Sequence, residues 1–303
     1  MASPCSFLLP DNTQARAQVA AMETAVRRIE HKYSRYRDDS ILSRINNNAG
    51  QPTPIDAETH WLLNYAAVCY EQSDGLFDIS SGVLRQAWDF RKNLIPSADA
   101  LASLLPRIGF GAVKLSDHEL LMPPDMELDL GGIGKEYAAD VCADIARQGG
   151  VNSGIIDLGG DLHILGPRPQ EDSHQSAGTA SHVQPWQLGV RHPRKPQQAI
   201  ARLPVYQGGM ATSGDYERFF EKNGQRFCHL LNPHNGYPVD HWASVTVLAP
   251  STLLAGTLST IAMLRQQAAP DWLREQNLHA LLIRPDLSTV TLTPDPAPQT
   301  TSE

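Results

Sequence analysis

Residues 211–239 read ATSGDYERFFEKNGQRFCHLLNPHNGYPV and hold the densest polar chemistry of the chain. A Ser/Thr/Gly/Asp turn, a basic hairpin tip and the lone His229 precede the turn sequence Asn232-Pro233-His234-Asn235-Gly236, all between apolar strands. His229 stands at the end of the apolar run 227–231. An imidazole there can be a satisfied core residue, or it can accept a proton near neutral pH. A second group is Leu130-Gly131-Gly132-Ile133-Gly134-Lys135, which places bare backbone N–H groups and a lysine at the start of a helix, where the dipole favours a phosphate. It is not a Walker A loop, because Asp129 occupies the first glycine position and Glu136 the Ser/Thr position, and it is not the dinucleotide fingerprint either. A strand-to-helix turn without any ligand has the same composition. Gly159-Gly160-Asp161 forms a further glycine turn, either a plain hairpin or a place of close ligand approach. Ser73-Asp74-Gly75-Leu76-Phe77-Asp78 stops a helix and leaves an aromatic ring and an acid at a loop.

These groups need elements to position them. Asn12 and Thr13 cap a helix whose apolar residues Ala15, Val19, Met22, Val26, Ile29 and Tyr33 recur at steps of three and four. A second helix spans 56–72, with Leu62, Leu63, Ala66, Cys69 and Tyr70 inward. A short strand at 127–130 runs into Gly131 and Gly132, followed by a helix marked by Ile133, Tyr137, Val141 and Ile145 and ended by Gly149-Gly150. Strands are predicted at 153–156, 187–190, 243–248, 280–283 and 289–292, with a helix from about 251 to 265. The mixture indicates an α+β fold rather than regular βαβ alternation. Residues 167–185 lack apolar periodicity and read as a mobile loop, and 294–303 as a disordered tail, leaving one domain over 1–293.

A net charge of -8 argues against a nucleic-acid partner, which would need a basic patch. The four cysteines lie far apart with no metal-ligand spacing, as expected of reduced thiols in the cytoplasm. No apolar run is long enough for a membrane span, and no export signal or lipobox is visible, so a cytoplasmic location is expected; a chain whose signal had been trimmed would read the same and be periplasmic.

The groups fall into one order: MASPC at 1–5, YSRYRDDSILSRIN at 33–46, DGLFDISSGVLRQAW at 74–88, LDLGGIGKEYAAD at 128–140, IIDLGGDL at 155–162, then ATSGDY, HLLNPHNGYP, SVTVLA and LAGTLSTIAML at 254–264. In that order the blocks resemble the ApbE family, the FAD:protein FMN transferases, from about residue 1 to residue 264. The resemblance implies a T-fold-like α+β architecture of mixed or antiparallel sheets packed by helices. It also implies a reaction in which FAD is cleaved and FMN passes to a Thr or Ser hydroxyl of an acceptor flavoprotein, with release of AMP and dependence on Mg²⁺. By family match, Met1, Tyr36, Leu76, Phe77, Asp78, Asp129 and Lys135 line the FAD site. His229 matches the histidine that activates the acceptor hydroxyl, and the Gly132 carbonyl and Thr260 hydroxyl match metal ligands. Tyr36 and Phe77 offer faces to aromatic rings and Lys135 offers charge to phosphates.

The chain departs from the family in two places. Where the family has Ala-Asp-Ala-Leu-(Ala/Ser)-Thr, this sequence has Ala255-Gly256-Thr257-Leu258-Ser259-Thr260, so the metal-binding carboxylate is missing, and Asp157, Asp161 or Asp215 stand as substitutes. Asn232-Pro233-His234-Asn235-Gly236 replaces the usual Asp-Pro-Arg-Thr-Gly. The alternatives are therefore an FAD-binding protein without transferase activity, or an FAD pyrophosphatase in which water replaces the acceptor hydroxyl.

Overall fold

The computed structural model of the chain describes residues 3–168 and 183–295. Met1, residues 169–182 of the predicted loop and residues 296–303 of the predicted tail lie outside the described residues.

The chain opens with strand β1 (Cys5–Leu8), helix α1 (Thr13–Tyr33), the short helix α2 (Ile41–Asn47), β2 (Thr53–Pro54) and α3 (Ala57–Gln72). A 3-10 helix at Ile79–Gln86, α4 (Ala98–Leu104), β3 (Lys114–Leu115) and β4 (Glu119–Leu121) lead to α5 (Gly134–Gln148). The second half contains β5 (Gly154–Leu158), β6 (Asp161–Gly166), β7 (Trp186–His192), β8 (Lys195–Val205), β9 (Gly208–Gly214), β10 (Phe219–Lys222) and β11 (Gln225–Cys228). It closes with β12 (Ser244–Ala249), α6 (Thr252–Arg265), α7 (Ala269–Glu275), β13 (His279–Ile283) and β14 (Thr289–Leu292). Among the described residues no helix is long and apolar enough to cross a membrane.

Seven strands form an open sheet in the order β1-β5-β6-β9-β12-β13-β14, and each neighbouring pair is antiparallel. The two-residue side-chain period sorts its faces. Along β13, Ala280 and Leu282 join the core under α6 and α7, while Leu281 and Ile283 meet Leu188, Val190 and Val205 of the β7–β8 ribbon on the opposite face. Helices α5 and α6 pack side by side on the first face, with α1 behind α5. The α+β expectation holds. Cys69, Cys142 and Cys228 are buried and Cys5 is exposed, all four as free thiols.

Local signals account for most of the helices. Asn12 accepts from the Ala15 N–H at 2.8 Å to start α1, Asp56 from Thr59 at 2.9 Å to start α3, and Ser251 from Leu254 to start α6. Asp74 and Gly75, both at positive φ, end the turn after α3. Other expectations need correction. Val19 of α1 is exposed. In α5 the inward stripe is Ala138, Ala139, Cys142, Ala143 and Ala146, while Tyr137, Val141 and Ile145 are half-buried, because α1 and α6 press so closely that only small side chains fit between.

The strand expected at 127–130 does not form. Its backbone is held by a side chain instead: the Leu128 N–H donates to Asn46 Oδ1 at 2.8 Å and Asn46 Nδ2 donates to the Leu128 carbonyl at 2.9 Å. The Asp129 N–H donates to the Ile79 carbonyl at 2.7 Å, which leaves nothing for a ladder. The Ser/Thr/Gly segment at 211–214 is no turn but the end of β9, in the middle of the sheet. Its small residues reflect packing, since α6 lies directly on β9 and a Cβ at Gly209 would run into the backbone of Ser251 and Thr252.

Candidate functional site

The site collects at the N-terminus of α5. Ile133 at the N-cap of this 15-residue helix provides no side-chain cap, and Gly131 and Gly132 are exposed, while the Ile133 and Gly134 N–H groups turn back to the Leu130 carbonyl at 3.1 and 2.8 Å. Asp129 shapes the approach. Its Oδ1 accepts from the Gly131 N–H at 2.9 Å, and its Oδ2 pairs with Arg35. Arg35 in turn donates to the Tyr36 hydroxyl at 2.7 Å and lies 4.9 Å from the centre of its ring. The hydrogen bond from Arg35 lowers the pKa of the Tyr36 phenol. Tyr36 is 75% exposed and presents an open aromatic face.

Lys135 leaves the first turn of α5 for the β5–β6 hairpin. Gly159 and Gly160, both at positive φ, close that hairpin, and the Gly159 N–H donates to the Pro4 carbonyl at 2.9 Å. Lys135 Nζ bonds Asp161 Oδ2 at 2.6 Å and stands 3.9 Å from Glu136 Oε1. Burial lowers the Lys135 pKa, but the Glu136 and Asp161 carboxylates outweigh it and hold the ammonium charged. Glu136 is only 6% exposed, and its Oε2 has no hydrogen-bond partner. Burial first, and the Asp161 carboxylate second, raise its pKa well above the ordinary carboxyl range.

Across from α5, the helix α6 carries Gly256 and Thr260. Its N-terminus is locked onto α5 by Asp140, whose carboxylate accepts from the Thr252 N–H at 2.8 Å and the Leu253 N–H at 2.9 Å and holds His163 Nδ1 at 2.7 Å. That registry places Gly256 directly against Glu136: a Cβ built on Gly256 would lie 2.5 Å from Glu136 Cγ and 3.2 Å from its Cδ and Oε1. Thr260 Oγ1 is 2.9 Å from Ser213 Oγ of β9, which also meets Ser259 Oγ at 2.8 Å.

His229 follows β11, at the base of a hairpin whose tip, Asn223-Gly224, takes positive φ at both residues. Its N–H donates to the Arg218 carbonyl at 2.9 Å, and its half-buried ring carries an Nδ1 with no partner. Burial, then the Arg218 and Lys135 cations, push the imidazole down to about 4, so it is neutral at pH 7. The 232–236 turn is tied down by Trp88, whose indole N–H donates to the Gly236 carbonyl at 2.8 Å, and a Cβ at Gly75 would stand 3.4 Å from His234 Nε2. The turn and the 74–78 loop are therefore one surface.

The remaining residues of that loop serve the scaffold more directly. Phe77 is buried, its ring edge under Gly132, and shows no open face. Asp78 caps the following 3-10 helix, accepting from the Ser80 N–H at 2.7 Å and hydroxyl at 2.6 Å and from the Phe110 N–H at 3.2 Å; burial raises its pKa in spite of those donors. Leu76 is half-buried against the core under α6. The structure thus brings Lys135, Gly132 and Asp129 together at the head of α5, links Tyr36 to them through Arg35, and sets Lys135 close enough to His229 to act on its charge. Sequence reasoning missed Arg35, Arg218 and Glu136. The last was detectable: a carboxylate one residue after Lys135 lies four after Gly132 and four before Asp140, on the helix face turned toward α6.

The model of the ApbE family matches residues 1–282. The chain is similar to the FAD:protein FMN transferase of Treponema pallidum, 32% identical over 291 residues that cover 90% of this chain and 78% of that protein. It is similar to the FAD:protein FMN transferase of Haemophilus influenzae at 29% identity over 286 residues, covering 89% and 79%. Among solved structures, the ApbE protein of Thermotoga maritima superposes with a TM-score of 0.82 at 28% identity, covering 95% of this chain and 97% of that one. The apo form of the Pseudomonas stutzeri flavinyl transferase ApbE gives a TM-score of 0.77 at 26% identity, over 92% and 86% of the two chains.

Proposed function

Because this chain belongs to the ApbE family, we propose that it is an FAD:protein FMN transferase, moving FMN from FAD to a Thr or Ser hydroxyl of an acceptor protein with release of AMP. The observation that carries the reading is the pairing of an α5 N-terminus without a side-chain cap and Lys135 with an imidazole whose buried Nδ1 has no hydrogen-bond partner. N–H groups and ammonium receive the pyrophosphate, and Tyr36 presents an open face to an aromatic ring. In the transfer step the acceptor oxygen forms a bond to the flavin-side phosphorus, the bond from that phosphorus to the bridging oxygen breaks, and AMP leaves with the electron pair. The hydroxyl proton passes to His229. Lys135, one of the two cations that depress His229, is the one placed to meet the pyrophosphate, and its neutralisation there would move the imidazole toward a stronger base.

Among the described residues no three His, Cys, Asp or Glu side chains are arranged to hold a metal. Mg²⁺ takes oxygen donors and usually one or two carboxylates beside substrate phosphates, and the oxygens at hand are of that kind: the Gly132 carbonyl, the Thr260 hydroxyl and the orphaned Glu136 Oε2. Bound there, the ion would supply charge neutralisation for the phosphates.

The test is to incubate the protein with FAD, Mg²⁺ and a flavin-acceptor domain while following AMP release and covalent FMN by mass. His229→Ala should abolish transfer while FAD affinity stays within about threefold. FAD binding by the wild type with neither product would instead mark a binding protein, and AMP without covalent FMN a pyrophosphatase.

A further inference from the structure

We propose that Glu136 supplies from α5 the carboxylate that the chain lacks at position 256 of α6, making Glu136, with Thr260 and the Gly132 carbonyl, the divalent-cation site. The inference rests on the flavin-transferase reading and assigns its metal site one carboxylate, from α5 in place of α6.

Three observations point to Glu136. First, its side chain fills the volume an aspartate at 256 would need, with Cγ 2.5 Å and Cδ and Oε1 3.2 Å from the position of a Cβ on Gly256. The two residues compete for one space, and glycine at 256 makes room for the glutamate. Second, Oε2 is buried without any partner, which is costly for a carboxylate unless a ligand completes it. Third, the alternatives are engaged. Asp215 makes a two-pronged bond to Arg194 at 2.6 and 2.7 Å with Arg226 at 3.5 Å, Asp157 caps the Gly160 N–H at 2.8 Å, and Asp161 holds Lys135. The placement is also consistent along both helices. Gly132 and Glu136 are four residues apart at the head of α5, Gly256 and Thr260 are four apart on α6, and Asp140 fixes the two helices together.

The experiment measures Mn²⁺ binding by electron paramagnetic resonance of the free ion, in the presence of FAD, on the wild type, Glu136→Gln and the double variant Glu136→Ala/Gly256→Asp. Glu136→Gln should weaken Mn²⁺ on the order of tenfold or more, since cation affinity follows the charge of the oxygen ligands. The double variant should recover most of that loss, because the carboxylate returns to the same space from the other helix. Glu136→Gln binding Mn²⁺ as the wild type does would overturn the proposal, and so would a double variant no better than Glu136→Gln while its circular dichroism is unchanged. FAD affinity, read by flavin fluorescence without metal, separates the two levels. Loss of FAD binding by the wild type sinks the flavin reading, whereas intact FAD binding with Mn²⁺ affinity indifferent to residue 136 sinks only this one.

Discussion

The contact between Gly256 and Glu136 makes a stability prediction that does not depend on catalysis. A helix-interior glycine replaced by alanine normally gains about 1 kcal/mol. Here the new methyl would lie 2.5 Å from Glu136 Cγ, against the usual carbon–carbon separation of about 3.5–4.0 Å, an overlap of roughly 1 Å. Glu136 is buried on all sides, so relief needs a rotamer change or a shift of α5 against α6, and overpacking of this kind costs about 1–3 kcal/mol. Gly256→Ala should therefore leave the protein unchanged or destabilised by up to about 2 kcal/mol in the wild-type background. In a Glu136→Ala background the methyl enters vacated space and the gain of about 1 kcal/mol returns. The coupling, about 1–3 kcal/mol, is read from a double-mutant cycle of urea unfolding followed by tryptophan fluorescence. Equal stabilisation by Gly256→Ala in both backgrounds would mean that the two side chains do not share this volume, and the packing of α5 on α6 described above would be wrong.

Two other expectations concern charges. Lys135→Ala should weaken FAD while leaving riboflavin affinity unchanged in fluorescence titrations, because the ammonium serves the pyrophosphate and not the ring; the wild type should prefer FAD to FMN and riboflavin for the same reason. The same variant leaves Asp161 without its cation at 2.6 Å, so thermal unfolding should show a loss of about 1–3 kcal/mol, less than for a fully buried pair. Glu58 is held down to about 2 by Arg28, with Lys32 and the Tyr137 hydroxyl adding to the effect. Its folded pKa lies below the ordinary 4.5, so the stabilisation is complete above 4.5 and is lost as the pH falls from there toward 2. Glu58→Gln should cost about 1–3 kcal/mol at pH 7 and flatten the acid limb of the stability profile over that window, as measured by urea unfolding at successive pH values.

Much of this protein was legible one segment at a time. The caps at Asn12, Asp56 and Ser251, the glycine stop at 149–150 and the short apolar runs of β12, β13 and β14 are local signals, set by backbone hydrogen bonding and side-chain composition within a few residues. So were the ordered blocks that carry the family resemblance. Strand β9 was not legible, because its Gly, Ser and Thr residues answer to the approach of α6, a contact between segments about 40 residues apart. The 127–130 segment looked like a strand, yet Asn46, more than 80 residues away, satisfies its backbone. The site divides in the same way. The sequence marked the 131–135 turn as a candidate phosphate site and a histidine at a strand end, and the family resemblance drew attention to the missing carboxylate at 256. That Arg35 holds Asp129, and that Glu136 occupies the space over Gly256, was decided only when α5 docked on α6 and the α1–α2 connection reached the 129 loop. Caps and periods depend on neighbours along the chain, whereas the ownership of a buried volume depends on which side chains packing brings there, and Glu136 and Gly256, 120 positions apart, leave no local trace of it.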